Sequence, residues 1–79
     1  DNTVVIELKA GQASPEALTQ LLVYMGQVQK AGRATVRSIL VASDFHPRIG
    51  FAVQACSTVQ LLRYRFQFYF ETYGSDYNE

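Results

Sequence analysis

Seventy-nine residues make at most one small domain, which buries only roughly 60% of the surface its unfolded chain exposes. Seven basic and seven acidic side chains cancel, so any nucleic-acid binding must come from a local cluster and not from a global field. A 48% hydrophobic share excludes a disordered chain, no apolar run approaches the ~20 residues of a membrane span, and a single cysteine excludes an internal disulfide.

No signal peptide is visible, and the lone thiol of Cys56 fits a reducing compartment; a cytoplasmic protein is expected. The chain opens at Asp1-Asn2, which reads as a turn running straight into a strand. That is an unusual start, and upstream sequence is expected.

Val4, Val5, Ile6 and Leu8 form an apolar, β-branched run that ends at Ala10-Gly11. It predicts a strand covered on both faces except where Glu7 and Lys9 point. Ser14-Pro15-Glu16 then opens a helix: a capping hydroxyl, a proline suited to the first helical position, and a carboxylate at the positive helix end. Leu18, Leu21, Leu22, Met25 and Val28 recur at helical spacing as its buried stripe, and Gly32 is its stop.

Val36 to Ala42 reads as the next strand. Ser43-Asp44 opens a second helix with Pro47 near its first turn, Asp44 as cap, and Ile49, Ala52, Val53 and Cys56 on its buried face; Gly50 weakens it by about 1 kcal/mol relative to alanine. Val59 to Leu62 reads as a short strand. From Tyr64 the pattern alternates, with Tyr64, Phe66, Phe68 and Phe70 on one side and Arg65, Gln67, Tyr69 and Glu71 on the other, which predicts a half-buried strand antiparallel to its predecessor. Residues 1–73 are expected to form the domain and residues 74–79 a frayed polar tail. The expected architecture is α/β: a mixed, mostly parallel sheet with right-handed crossover helices, in the order β-α-β-α-β-β.

Glu7 and Lys9 are two apart on a strand, so both side chains leave the same face. Burying a carboxylate and an ammonium in an apolar strand costs several kcal/mol per ion unless they pair or bind something. An ion pair at the strand's end is one outcome. The other is a divalent metal on the carboxylate, with the ammonium beside a water nucleophile or a phosphoryl group. On the following helix Gln20 and Tyr24 are four apart and share a face beside the buried stripe, either as a polar boundary row or as neighbours of Glu7 and Lys9.

Together, Val4-Val5-Ile6-Glu7-Leu8-Lys9-Ala10-Gly11 and Gln20-Leu21-Leu22-Val23-Tyr24 resemble the PD-(D/E)XK nuclease superfamily, most closely its RecB-like and NucS-like branches, in which a Q-x-x-x-Y helix follows the E-x-K strand. The resemblance extends through the strand at Val36 to Ala42 and covers the remainder in outline. It implies a restriction-endonuclease-like core, here incomplete, and hydrolysis of DNA phosphodiesters with Mg²⁺ or Mn²⁺. It makes Glu7 the metal-binding acid and the Leu8 backbone carbonyl a further ligand. Lys9 would position the attacking water or stabilise the transition state, and Gln20 and Tyr24 would support the site and contact the nucleic-acid backbone.

The superfamily carries another metal-binding Asp on a preceding strand. Asp1, six residues before Glu7, falls in the expected hairpin turn and does not match it. The chain alone is therefore expected to be weakly active or inactive. Its first strand would be an exposed edge inviting a second copy or an upstream segment. The alternative function is a non-catalytic nucleic-acid-binding or assembly module that keeps the nuclease-like fold.

Other groups read as structural. Cys56 suits a small buried hydrophobe, and His46 beside Asp44 suits the turn before the second helix better than an acid–base pair. Arg63, Tyr64, Arg65 and Tyr69 interleave charge and aromatic rings, a pattern that can stack bases. An ordinary sheet with Phe66, Phe68 and Phe70 in the core is the preferred reading. Arg33, Arg37 and Arg48 fall in or near separate loops and share no evident surface.

Overall fold

Three β-rich runs pair side by side, joined by two helices that each carry an apolar stripe. A computed structural model describes residues 2–32 and 35–74; the expectations for Asp1, Arg33 and residues 75–79 lie outside them. The elements are β1 (Asn2–Leu8), β2 (Gln12–Ala13), α1 (Pro15–Gly32), β3 (Thr35–Ala42), β4 (Asp44–Phe45), α2 (Pro47–Gln54) and β5 (Val59–Arg63). The main sheet has the order β1-β3-β5, and every pairing in it is parallel. Ile6 lies opposite Ile39 and Glu7 opposite Leu40, while Leu40 also faces Leu61 of β5. The chain has an α/β fold with crossover helices, as its strand and helix patterns predict.

Both crossovers step the same way across the sheet. Parallel connections are right-handed, so α1 and α2 fall on one face, where they touch each other. The core lies beneath them: Leu18, Leu21 and Met25 of α1, Val36, Leu40 and Ala42 of β3, Ile49 of α2 and Val59 of β5. Within α1 the stripe shifts slightly from the expected one. Ala17 is buried and Leu22 is exposed, because the contact row runs through 17, 18, 21 and 25.

Four expectations are corrected. First, β1 is covered on one face only. Val5 packs on the core, whereas Val4, Ile6 and Leu8 are 54% to 68% exposed on the side without helices. Second, Ser43-Asp44 does not open α2. Asp44 and Phe45 pair with Gln12 and Ala13 in a two-residue ladder, and the helix starts at Pro47. Third, His46 caps α2 in place of Asp44: its Nδ1 accepts the Arg48 N–H at 3.1 Å. Asp44 instead accepts the Phe45 N–H and faces Arg63 at 3.8 Å.

Fourth, the alternating segment from Tyr64 forms no strand, so the antiparallel pair with β5 is absent from the described residues. One last ladder-like bond joins the Tyr64 N–H to the Ala42 carbonyl, and there β3 ends. Beyond it Phe66, Phe68 and Phe70 are 74% to 92% exposed. Alternation suits a strand, but a strand also needs a neighbour whose backbone groups are free.

Candidate functional site

The parallel pairing sends Glu7 and Lys9 to the carboxyl end of β1, an edge strand, on the face that α1 and α2 cover. Val5 shows which face this is: it packs on the core, and positions 7 and 9 share its side. Lys9 Nζ lies 3.6 Å from Glu7 Oε2, with the two side chains 34% and 44% exposed. A pair this accessible is screened by water and contributes about 0–1 kcal/mol to stability.

Lys9 and Gln20 line one shallow cavity of about 210 Å³, together with Gln12, Ser14, Glu16 and Ala17. Glu7 adjoins it through Lys9. Tyr24, one helical turn beyond Gln20, is exposed and is not part of that lining. Lys9 thus stands beside Glu7 and shares a cavity lining with Gln20, and Tyr24 lies outside that lining.

Backbone geometry supports the same corner. The Lys9 N–H donates to the Val41 carbonyl at 2.8 Å, so Lys9 turns its backbone polar groups toward β3. Alternation along a strand then turns those of Leu8 toward the free edge, where its carbonyl is open to a ligand. The turn that follows is held tightly. Gly11 has φ +85°, a conformation that costs a side-chain-bearing residue and suits glycine. The Ser43 N–H donates to the Gly11 carbonyl at 3.0 Å, and the His46 N–H donates to the Ala13 carbonyl at 3.1 Å.

Tyr64 is the residue that sequence reading missed. Its hydroxyl accepts the Gly11 N–H at 2.9 Å and donates to the Lys9 carbonyl at 3.2 Å. These bonds bridge 53 and 55 residues, and no local pattern announces a contact at that separation. Tyr64 therefore ties the end of β5 to the loop that carries Lys9.

The oxygen atoms that could meet a divalent ion at this corner are those of the Glu7 carboxylate and the Leu8 carbonyl. Among the described residues no three His, Cys, Asp or Glu side chains cluster closely enough to hold a metal. One carboxylate and one carbonyl suit Mg²⁺, which keeps most of its waters, and do not suit zinc, which takes four nitrogen or sulfur ligands in structural sites. Cys56 sits apart, half-buried against the core with its Sγ 3.4 Å from the Thr58 hydroxyl. Among the described residues no helix is long and apolar enough to cross a membrane. Compared with protein-family models, curated proteins and solved structures, the chain matches none.

Proposed function

We propose that this domain supplies one half of a metal-assisted phosphodiester-hydrolysis site acting on DNA. The reading rests on one observation: Glu7 and Lys9 stand side by side at the carboxyl end of a parallel edge strand, and Gln20 lines the cavity beside Lys9. The resemblance to PD-(D/E)XK nucleases assigns the same residues the same work.

Each group has a role that its chemistry allows. Glu7 and the Leu8 carbonyl offer oxygen ligands to a hard cation. Lys9 places a positive charge where a phosphoryl oxygen gains negative charge in the transition state. Gln20 offers both a donor and an acceptor to a backbone phosphate or a water. Tyr24, exposed one turn beyond Gln20, would contact the nucleic-acid backbone as the resemblance implies. Bound Mg²⁺ or Mn²⁺ would supply charge neutralisation and a more acidic water. A single carboxylate holds such an ion weakly, so full activity needs a second acid from another segment, and the chain alone cleaves slowly or not at all.

The test is a Mn²⁺ titration followed by amide resonances, run beside cleavage assays on linear, branched and mismatched DNA. Broadening centred on residues 7–9 and abolished in Glu7→Ala supports the site. If neither Mn²⁺ nor Mg²⁺ alters the resonances or the melting temperature while DNA still binds, the hydrolytic reading fails. Robust cleavage by the chain alone, lost in Glu7→Ala, would overturn the claim of weak activity and keep the site.

A second reading, a non-catalytic assembly module, is favoured by a different observation. Among the described residues no strand pairs with the outer edge of β1, and Val4, Ile6 and Leu8 are exposed beside it. Such an edge accepts a further strand, from a second copy or another segment. Sedimentation of the chain over a range of concentrations, compared with a Val4→Lys variant, tests for the second copy.

A further inference from the structure

The alternating segment after β5 has the pattern of a strand and, among the described residues, no strand beside it. The Tyr64 N–H bonds the Ala42 carbonyl, and beyond it no backbone hydrogen bond joins residues 65–73 to any described element. Tyr64 and Phe66 meet edge-on at 5.1 Å, and the Phe66 and Phe68 ring centroids lie 6.4 Å apart, so these rings follow one another along one side. Phe70 continues the row by alternation. Phe66, Phe68 and Phe70 are each about three-quarters exposed or more. Extended backbone with free polar groups and an apolar side is a template for another strand.

The order of its residues says which strand. Read outward from Phe68, the segment is self-complementary in antiparallel pairing: Phe68 falls opposite Phe68 of a second copy, Phe66 opposite Phe70, and Arg65 opposite Glu71. Directly opposed residues share a face, so ring row meets ring row and each guanidinium meets a carboxylate. Arg63 already faces Asp44 at 3.8 Å, whereas Arg65 and Glu71 have no ion-pair partner among the described residues.

We propose that two copies of this chain associate by antiparallel pairing of residues 65–71 about a two-fold axis at Phe68. The proposal stands apart from the hydrolytic reading, and it uses a different surface from the β1 edge. Each copy returns the contact it receives, so the assembly closes at two. In this register the partner's Phe70 stands beside Phe66, whose ring walls an apolar cavity of about 510 Å³ with Leu8, Val41 and Tyr64. An aromatic ring can bury ~150–250 Å², so six rings and the cavity walls they cover come to roughly the ~1,200 Å² at which specific interfaces begin.

The experiment is sedimentation velocity of the full chain over a range of concentrations, at low salt so that exposed charges are little screened. Wild type is expected to show a monomer–dimer equilibrium. Arg65→Glu and Glu71→Arg each set like charges opposite one another at both ends of the paired segment. Each should weaken the dimer between about fivefold and a hundredfold. Mixing the two single variants puts opposite charges back at both positions, so the mixture should associate about as tightly as wild type. Misfolding of either variant could not be repaired in this way. Phe68→Ala, on the axis, should weaken association by about tenfold or more. Arg65, Phe68 and Glu71 are exposed, so melting curves should show the fold intact.

A wild type that stays monomeric at every accessible concentration would overturn the proposal. So would a dimer indifferent to the three substitutions; one that Val4→Lys alone dissolves belongs to the β1 edge. Failure of the mixed variants to recover overturns the register about Phe68. If the substitutions leave association unchanged and weaken DNA binding instead, the rings meet nucleic acid and the proposal fails. None of these outcomes touches Glu7 or Lys9, so the hydrolytic reading stands or falls on its own Mn²⁺ titration.

Discussion

On the helix-covered face of the sheet, Val36, Leu40, Ala42 and Val59 are almost wholly buried; on the opposite face of the same three strands, Val4, Ile6, Leu8 and Leu62 remain exposed. The residue types hardly differ. What differs is that both right-handed crossovers fall on one side, so one face receives α1 and α2 and the other receives nothing among the described residues. Burial here follows topology more closely than side-chain chemistry. An uncovered apolar face is also the kind of surface that proteins use for contact.

The sharpest way to break this contrast is substitution in pairs. Leu40→Ala empties a fully buried position and should cost about 2–5 kcal/mol. At about 0.05–0.15 kcal/mol per residue the whole domain holds roughly 4–12 kcal/mol, so this change alone approaches unfolding. Ile6→Thr on the open face should move urea stability by no more than about 0.5 kcal/mol. Comparable losses at the two positions would mean that the open face is covered in solution.

Next in size is Tyr64→Phe, which deletes a hydroxyl that joins the end of β5 to the loop after β1. Both of its hydrogen bonds go at once, and the cost is about 1 kcal/mol because the site is partly wet. Faster hydrogen exchange at the Gly11 amide, with the rest of the sheet protected as before, is the expected signature. An unchanged Gly11 rate would refute the clamp.

Ser38→Ala acts in the opposite direction. The Ser38 hydroxyl is buried in the covered face and has no hydrogen-bond partner among the described residues. Removing it should raise stability by about 1 kcal/mol, and the melting temperature by about 4–8 °C for a domain of this size. A fall in melting temperature would show that the hydroxyl is satisfied, for instance by a buried water.

A small effect on stability belongs to Glu7→Gln. It breaks a half-exposed ion pair and should cost no more than about 1 kcal/mol in denaturant titration. Its consequence lies elsewhere: any stabilisation by Mg²⁺ or Mn²⁺ should vanish with it. A metal-dependent melting shift that survives the substitution would move the ion to another site.

Much of the framework was legible in the residues. Pro15 and Gly32 bound α1, and the β-branched runs became β1 and β3, because such signals act over a few residues. Glu7 and Lys9 share a face for the same reason, since a strand repeats every two residues. Asp44 illustrates the other case. Its position before a helix suggested a cap, yet pairing with Gln12 drew it into a ladder and left the cap to His46. The Phe66 to Phe70 alternation likewise promised a strand, and no adjacent backbone accepted it. Tyr64 was counted among aromatic residues of that strand; its hydroxyl instead found the Gly11 amide across the fold.

Local order therefore determined the types of element, their approximate limits and the pairing of carboxylate with ammonium on one strand. The folded chain decided which face of the sheet was closed, which hydroxyl braced the Lys9 loop and which aromatic rings stayed free. Those outcomes depend on which segments meet after dozens of intervening residues, and a periodic pattern records only what lies within a few residues of itself.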